Sequence, residues 1–339
     1  MLDIFKCISL YMNAHKLSLV CKSFNNIYDE LWYKQKLTYE YDTRLWIQTT
    51  YQDLYKKSLQ SGNIVKYTCD KNSYICGERS YQIEIQYKIQ GIKITKINNE
   101  KFMILTFNGD LWIHHNDLNY LLDSEVIDID HNIYCTTHEC YVIRKCKRKH
   151  LMFTTNESLL SVAENEYYMV AISKNTIYLI ASPYEDSIIT NFKIVDNIIK
   201  VVPFQSYFAI LATNNDMILF DQYDKKLSDI RLNKVKYLFP EVCILYDNSI
   251  VILDINGDLD SDLFGEITDK TFKITQIILD DIQYCVDILR DYIILSNDTL
   301  YHYNTETFKL QPLIINLIDN IKLKNITTSM YTDDLYIIY

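Results

Sequence analysis

Two hydrophobic periods divide the chain. In the first part apolar side chains recur every three to four positions, the spacing of one helix face. Ile4, Phe5, Ile8 and Met12 make one such face, and Leu17, Val20, Cys21 and Phe24 make a second at i, i+3, i+4 and i+7, with Lys16, Lys22 and Ser23 pointing away. A third apolar anchor follows at Leu31-Trp32, with Leu19 beside the second stripe. Three helices within about forty residues bury too little surface to stand alone, so residues 1–41 read as a docking module. A further helix is expected over Leu45 to Leu59, ended by Gly62 in a left-handed conformation, which makes 42–66 a linker.

From about Tyr67 the period changes to 2 and one unit keeps returning: an apolar run, two or three turn-forming residues, then another apolar run. The turns fall at Asn108-Gly109, His138-Glu139, Lys174-Asn175, Asn214-Asn215, Asp247-Asn248, Asn297-Asp298 and Thr332-Asp333-Asp334. Asn, Asp and Gly tolerate the positive φ that tight hairpins need. Seven hairpins are therefore expected, separated by roughly thirty to fifty residues, the length of a four-stranded propeller blade. Further strands are expected over Ile92 to Ile97, Val126 to Ile129, Ile198 to Val202, Val235 to Phe239 and Phe272 to Ile278, with Tyr67 to Ile75 or Tyr81 to Tyr87 available to close the ring. The predicted fold is mainly β, a short helical module followed by a seven-bladed β-propeller over 67–339.

Composition adds limits. The 339 residues are 48% hydrophobic and 23% charged, ordinary for a folded protein, while 29 Tyr against 6 Gly and 4 Pro suggests nucleotide bias in the genome. A net charge of -10 argues against a nucleic-acid binder that neutralises phosphates over a broad face. Nine scattered Cys fit reduced thiols in the cytoplasm or nucleus better than a disulfide framework. No segment is apolar for long enough to cross a membrane as a helix, and no leader pattern is evident. An intracellular protein is expected.

Candidate chemistry is sparse. His131, Cys135, His138, Cys140, Cys146 and His150 cluster in sequence, but without a Cys-x-x-Cys knuckle, and Cys135 and Cys140 sit at strand positions that bury small side chains, so no metal is assigned. The alternating oxygens of Asp254, Asn256, Asp258, Asp260 and Asp262 suggest a calcium loop, yet Gly257 and Gly265 stand at the wrong places, and an acidic insertion accounts for it as well. Arg144, Lys145, Lys147, Arg148 and Lys149 form the one dense basic run, a solvated loop or a patch for an acidic partner. No phosphate-binding glycine loop, His-Glu-x-x-His helix or Gly-x-Ser-x-Gly elbow occurs. Neither an enzyme nor a cofactor is expected.

Two family resemblances sharpen this reading. Asp3-Ile4, Ile8, Tyr11-Met12, the block Leu19-Val20-Cys21-Lys22-Ser23-Phe24 and Leu31-Trp32 resemble the F-box, though the family's Leu-Pro opening has no counterpart. Leu105-Thr106, Asn108-Gly109 and Leu111-Trp112 resemble a worn repeat of the regulator-of-chromosome-condensation family, with no residues matching its nucleotide-exchange activity. The F-box resemblance implies that Ile4, Phe5, Ile8, Leu17, Leu19, Val20, Cys21, Phe24, Leu31 and Trp32 dock a Skp-type adaptor of a cullin complex. The propeller would then hold a target protein for a ubiquitin ligase. The alternative is a propeller scaffold whose N-terminal helices cap its own core.

Overall fold

The computed structural model describes Tyr33 and residues 51–69, 80–98, 101–115, 118–143, 149–165, 167–181, 188–204, 207–240, 242–252, 273–275, 277, 279, 281–288, 291–304, 307, 309–315, 323–329 and 332–339. Helix α1 (Tyr51–Gln60) is followed after Ser61 by strand β1 (Gly62–Cys69), which pairs antiparallel with β2 (Ser80–Gly91). The helix expected over Leu45 to Leu59 is thus present from Tyr51, and residues 45–50 lie outside the described residues.

Six four-stranded antiparallel meanders follow in chain order. Blade one is β3 (Lys93–Asn98), β4 (Lys101–Leu105), β5 (Leu111–His115) and β6 (Leu118–Asp123). Blade two is β7 (Asp128–Asp130), β8 (Ile133–Cys135), β9 (Glu139–Ile143) and β10 (Lys149–Thr154). Blade three is β11 (Leu159–Glu164), β12 (Tyr168–Ser173), β13 (Thr176–Ala181) and β14 (Ile188–Lys193). Blade four is β15 (Ile198–Phe204), β16 (Tyr207–Ala212), β17 (Met217–Asp221) and β18 (Lys226–Leu232). Blade five is β19 (Val235–Phe239), β20 (Val242–Leu245), β21 (Ile250–Ile252) and β22 (Lys273–Thr275). Blade six is β23 (Ile282–Ile288), β24 (Asp291–Ser296), β25 (Thr299–Asn304) and β26 (Lys309–Pro312).

Blade seven joins distant parts of the chain. Its order is β28 (Asn325–Ser329), β29 (Thr332–Ile338), β1, β2 and the short β27 (Ile314–Ile315), which pairs parallel to β2 at the outer edge. The first strands of consecutive blades neighbour one another in a closed cycle: β3, β7, β11, β15, β19, β23, β28 and back to β3. The chain is a seven-bladed β-propeller.

Its core is a set of seams between blades. Among the described residues seven apolar clusters occur, each shared by two neighbouring blades, such as Val170, Ile177, Val201 and Phe208 between blades three and four. Middle strands are therefore covered on both faces, and β24 is buried at every position. This explains why the apolar runs are nearly continuous rather than strictly alternating. Cys135 and Cys140 are fully buried in the seam between blades two and three, as small apolar side chains would be.

Six of the expected hairpins lie between the second and third strands of blades one to six. Gly109, Asn215, Asn248, Asn297 and Asp298 all take positive φ there. These turns also set the spacing of the blades, because the chain entering the next blade donates to them: Val126 N to Gly109 O (2.9 Å), Leu159 N to Thr137 O (2.7 Å), Ile198 N to Lys174 O (2.8 Å) and Val235 N to Asn215 O (2.8 Å).

Two expectations are corrected. Thr332, Asp333 and Asp334 belong to β29 rather than to a turn, and the seventh hairpin joins the first and second strands of its blade, with Ser329 opposite Thr332. The second and third strands there are β29 and β1, from opposite ends of the sequence, so no hairpin can link them. Gly62 is not a left-handed helix end. It lies in β1, where a Cβ would meet the Tyr339 carbonyl oxygen at 1.7 Å, so glycine is required by a close backbone approach.

Candidate functional site

The residues implied by the F-box resemblance, Ile4, Phe5, Ile8, Leu17, Leu19, Val20, Cys21, Phe24, Leu31 and Trp32, lie outside the described residues. So do Arg144, Lys145, Lys147 and Arg148 of the basic run, Cys146, and the acidic stretch from Asp254 to Asp262. Lys149 opens β10, where its Nζ lies 2.9 Å from Asp123 Oδ2 and 5.2 Å above the Tyr141 ring, so it is engaged within blade two and its neighbour. The ring of Tyr33 packs 5.6 Å from that of Tyr55 in α1. Among the described residues no three His, Cys, Asp or Glu side chains converge as a metal centre.

The concentration of polar chemistry lies instead on the inner strands, where the fold places one residue per blade at an equivalent position. A β-bulge interrupts pairing near the start of β11, β15, β19 and β23, expelling Leu160, Ile199, Lys236 and Gln283 from the ladder. The residue after each bulge faces the end of the second strand: Ser161 opposite Ile172, Lys200 opposite Leu211, Tyr237 opposite Ile244 and Tyr284 opposite Leu295. In blades one and two the same place is taken by Lys93 opposite Leu105 and Asp128 opposite Cys135. From blade one to blade six this position reads Lys93, Asp128, Ser161, Lys200, Tyr237, Tyr284. One side is charged and the other aromatic.

The charged side is a latch between blades. Lys93 Nζ lies 2.8 Å from Asp128 Oδ1, and Asp128 Oδ2 accepts from Ser161 Oγ (2.7 Å) and Val162 N (3.1 Å). A second tier lies at the far end of the same strands. Asp130 Oδ1 is 3.0 Å from His131 Nδ1, and Asp130 Oδ2 accepts from Glu164 N (2.9 Å). Glu164 in turn accepts from Asn132 N (2.7 Å) and Nδ2 (3.2 Å), while His131 N donates to Thr95 Oγ1 (2.9 Å). Blades one, two and three are thereby stitched together by side chains some 35 residues apart, as Ser161 and Asp128 show with a separation of 33.

The electrostatics follow from burial and pairing. Burial alone would raise the Asp130 carboxyl, but the charge and hydrogen bond of His131, helped by Lys93, hold it below the usual range. Burial works against the His131 imidazolium, and the Asp130 carboxylate overrides it, so the ring titrates above its ordinary value. Glu164 is dominated by burial, which pushes it up to about 7 despite His131 and the two Asn132 donors. A carboxyl near neutrality can serve as a general acid or base. Both Glu164 oxygens are occupied by Asn132, however, and Asp130 and Asp128 are each held by a cation and a backbone N–H, so the arrangement is one of structural pairing.

Lys200 stands apart. Its Nζ donates to the Leu238 carbonyl (2.6 Å) and sits 5.3 Å above the Phe239 ring, and among the described residues no carboxylate lies within ion-pair distance. Burial, then the like charge of Lys93, pulls its pKa down to about 8 against the attraction of Asp128 and Asp130. The aromatic side continues from Phe239 to Tyr237 (6.2 Å between centroids) and Tyr284 (5.9 Å).

Of these residues only His131 was singled out in the sequence, as one of a loose His and Cys cluster, and its partner here is Asp130. The signal present was positional: each stands one or two places after the apolar residue that precedes or opens the first strand of its blade, a register visible only once the blades are aligned.

No protein-family profile matches the chain, and no curated protein matches it in sequence. Solved structures share its fold. Prp20p from Saccharomyces cerevisiae, a structure described with that protein's binding to Gsp1p and histones, aligns over 86% of this chain and 94% of its own with a TM-score of 0.52 and 9% identity. Human WBSCR16 aligns over 82% of this chain and 98% of its own with a TM-score of 0.50 and 8% identity. At such identities the likeness is one of fold.

Proposed function

We propose that this chain is a non-enzymatic, intracellular protein-binding propeller that serves as the target-recognition subunit of a Skp-cullin-F-box ubiquitin ligase. In this reading the helices of residues 1–41 dock a Skp-type adaptor, and the propeller holds the target. The box assignment rests on the sequence Leu19-Val20-Cys21-Lys22-Ser23-Phe24 with Leu31-Trp32. The observation that carries the two-part reading is the joint between the parts. Only Ser61 separates α1 from β1, β1 is clamped between β2 and β29, and the Ser61 carbonyl accepts from Lys324 Nζ. With Tyr33 packed on Tyr55, the chain just after Trp32 is in contact with a helix tied to the closing blade. A docking module so placed would hold its target at a fixed distance from the adaptor.

Adaptor binding by an apolar helical face is carried by a few buried anchors. Val20→Asp is expected to abolish co-purification with a Skp-type adaptor; retention at the wild-type level would refute the assignment. The scaffold alternative, with the helices capping the propeller's own core, is separated by deleting Met1 to Tyr41. A docking module comes away with little change in melting temperature, whereas a cap takes propeller stability with it.

A further inference from the structure

We propose that the blade-four and blade-five side of the inner ring receives an acidic side chain of a protein partner, with Lys200 binding its carboxylate and Ile199 and Tyr237 taking the apolar groups beside it. This deepens the target-binding half of the function proposed above and rests on that half alone.

The argument begins from an asymmetry between equivalent positions. Lys93 and Lys200 occupy the same place in blades one and four, yet Lys93 pairs directly with Asp128, whereas the direct contacts of Lys200 are a carbonyl and a ring face and it feels Asp128 and Asp130 only from beyond ion-pair distance. A partly buried cation without a directly paired anion costs stability, because a carbonyl, a ring and more distant carboxylates restore only part of its lost hydration. Such a group is kept at a cost to the fold and complements an incoming anion. The surroundings favour a side chain over a free ion. Ile199 precedes it in β15, Tyr237 holds the equivalent position in blade five, and Ile199 (44%), Tyr237 (38%) and Tyr246 (57%) are exposed apolar surface on adjoining strands and their rim. Tyr246 N donates to the Lys234 carbonyl, which holds that rim residue against the chain entering blade five. Lys236 adds a second cation, 5.1 Å above the Tyr237 ring, with Asp281 as far as 3.9 Å away. Apolar surface around one unneutralised ammonium suits an acidic residue flanked by aliphatic ones. A nucleic acid instead needs several phosphates neutralised along a broad face, which a chain of net charge -10 disfavours.

The test uses the full chain and a fluorescein-labelled dodecapeptide of alternating Glu and Leu, read by fluorescence polarisation. Lys200→Met is expected to weaken binding about tenfold, while Lys226→Met, on the outer strand of blade four, changes nothing. A peptide of alternating Lys and Leu is expected not to bind. Equal affinity of Lys200→Met and the parent overturns the proposal, as does displacement of the peptide by an equal concentration of a single-stranded oligonucleotide. Should Lys200→Met fail to fold, Ile199→Glu replaces it, since that side chain is exposed and an added carboxylate must repel the peptide by a similar factor. Adaptor co-purification is independent of this site. Loss of adaptor binding with peptide binding kept refutes the ligase role alone, and the reverse outcome refutes the site alone.

Discussion

Glu164 offers a quantitative test of the inner-strand network. Replacing it by Gln keeps the size and an oxygen that can accept from Asn132 N, now at 2.7 Å, and removes the charge, while the new NH2 is accommodated by turning the Asn132 amide so that its oxygen accepts where its Nδ2 now donates. Burial raises this carboxyl from 4.5 to about 7. The folded chain therefore holds a proton that the unfolded chain has released between those values, and by linkage the Glu164 contribution to stability falls as pH rises through that window. The full span corresponds to roughly 3 kcal/mol at about 1.4 kcal/mol per pKa unit. Partial solvent access at this strand end reduces that to about 1–2 kcal/mol of difference between pH 5 and pH 8. In a domain of this size about 2 °C of melting temperature accompanies each kcal/mol. Glu164→Gln is thus expected to melt close to the parent at pH 5 and about 2–4 °C above it at pH 8, followed by circular dichroism. A stabilisation that does not grow with pH, or a variant less stable than the parent at pH 8, would refute the assignment of Glu164 as a carboxylate kept at a cost beside Asp130 and His131.

Two further outcomes follow from the closing blade and the seams. Gly62→Ala puts a Cβ 1.7 Å from the Tyr339 carbonyl oxygen, which only a shift of the backbone beside the β1–β29 pair can relieve, so a loss above about 3 kcal/mol and a drop of about 6 °C or more is expected; an unchanged melting curve would show that this close approach does not hold the closing blade. Burial pushes the Cys243 thiol up to about 12 and raises Cys135 and Cys140 as well. Iodoacetamide at pH 8 is therefore expected to leave these three unmodified in the native chain and to label them after denaturation, read by peptide mass mapping; rapid native labelling would contradict their burial.

The legible parts of the fold were those set by neighbours in sequence. The turn at Asn248 could be placed because Asn accepts positive φ, and it does so with φ 64. Val235–Phe239 was identified as a strand to its ends, because its apolar pattern and the bounding Lys234 and Pro240 are local features. The expected turn at Thr332 to Asp334 failed for the same local reason. Polar residues there resemble a loop, yet as strand residues of β29 they include Asp334, whose carboxylate reaches Lys66 of β1 at 3.3 Å. A partner so distant in sequence leaves no mark on the spacing of residues near the turn.

The sequence by itself determined the repeating unit, six of the seven expected turns and the short apolar runs that make each blade a sheet, because hairpin geometry and strand propensity act over a few residues. Only the tertiary structure decided that β29 and β1 close the ring, that Gly62 is needed where Tyr339 passes, and that Asp128 pairs with Lys93 and accepts from Ser161 while Lys200 has no carboxylate in direct contact among the described residues. The physical reason is angular. Each blade turns the chain by one-seventh of a circle, so side chains that meet at the inner strands belong to different blades, and their charges are matched by the ring's geometry rather than by distance along the chain.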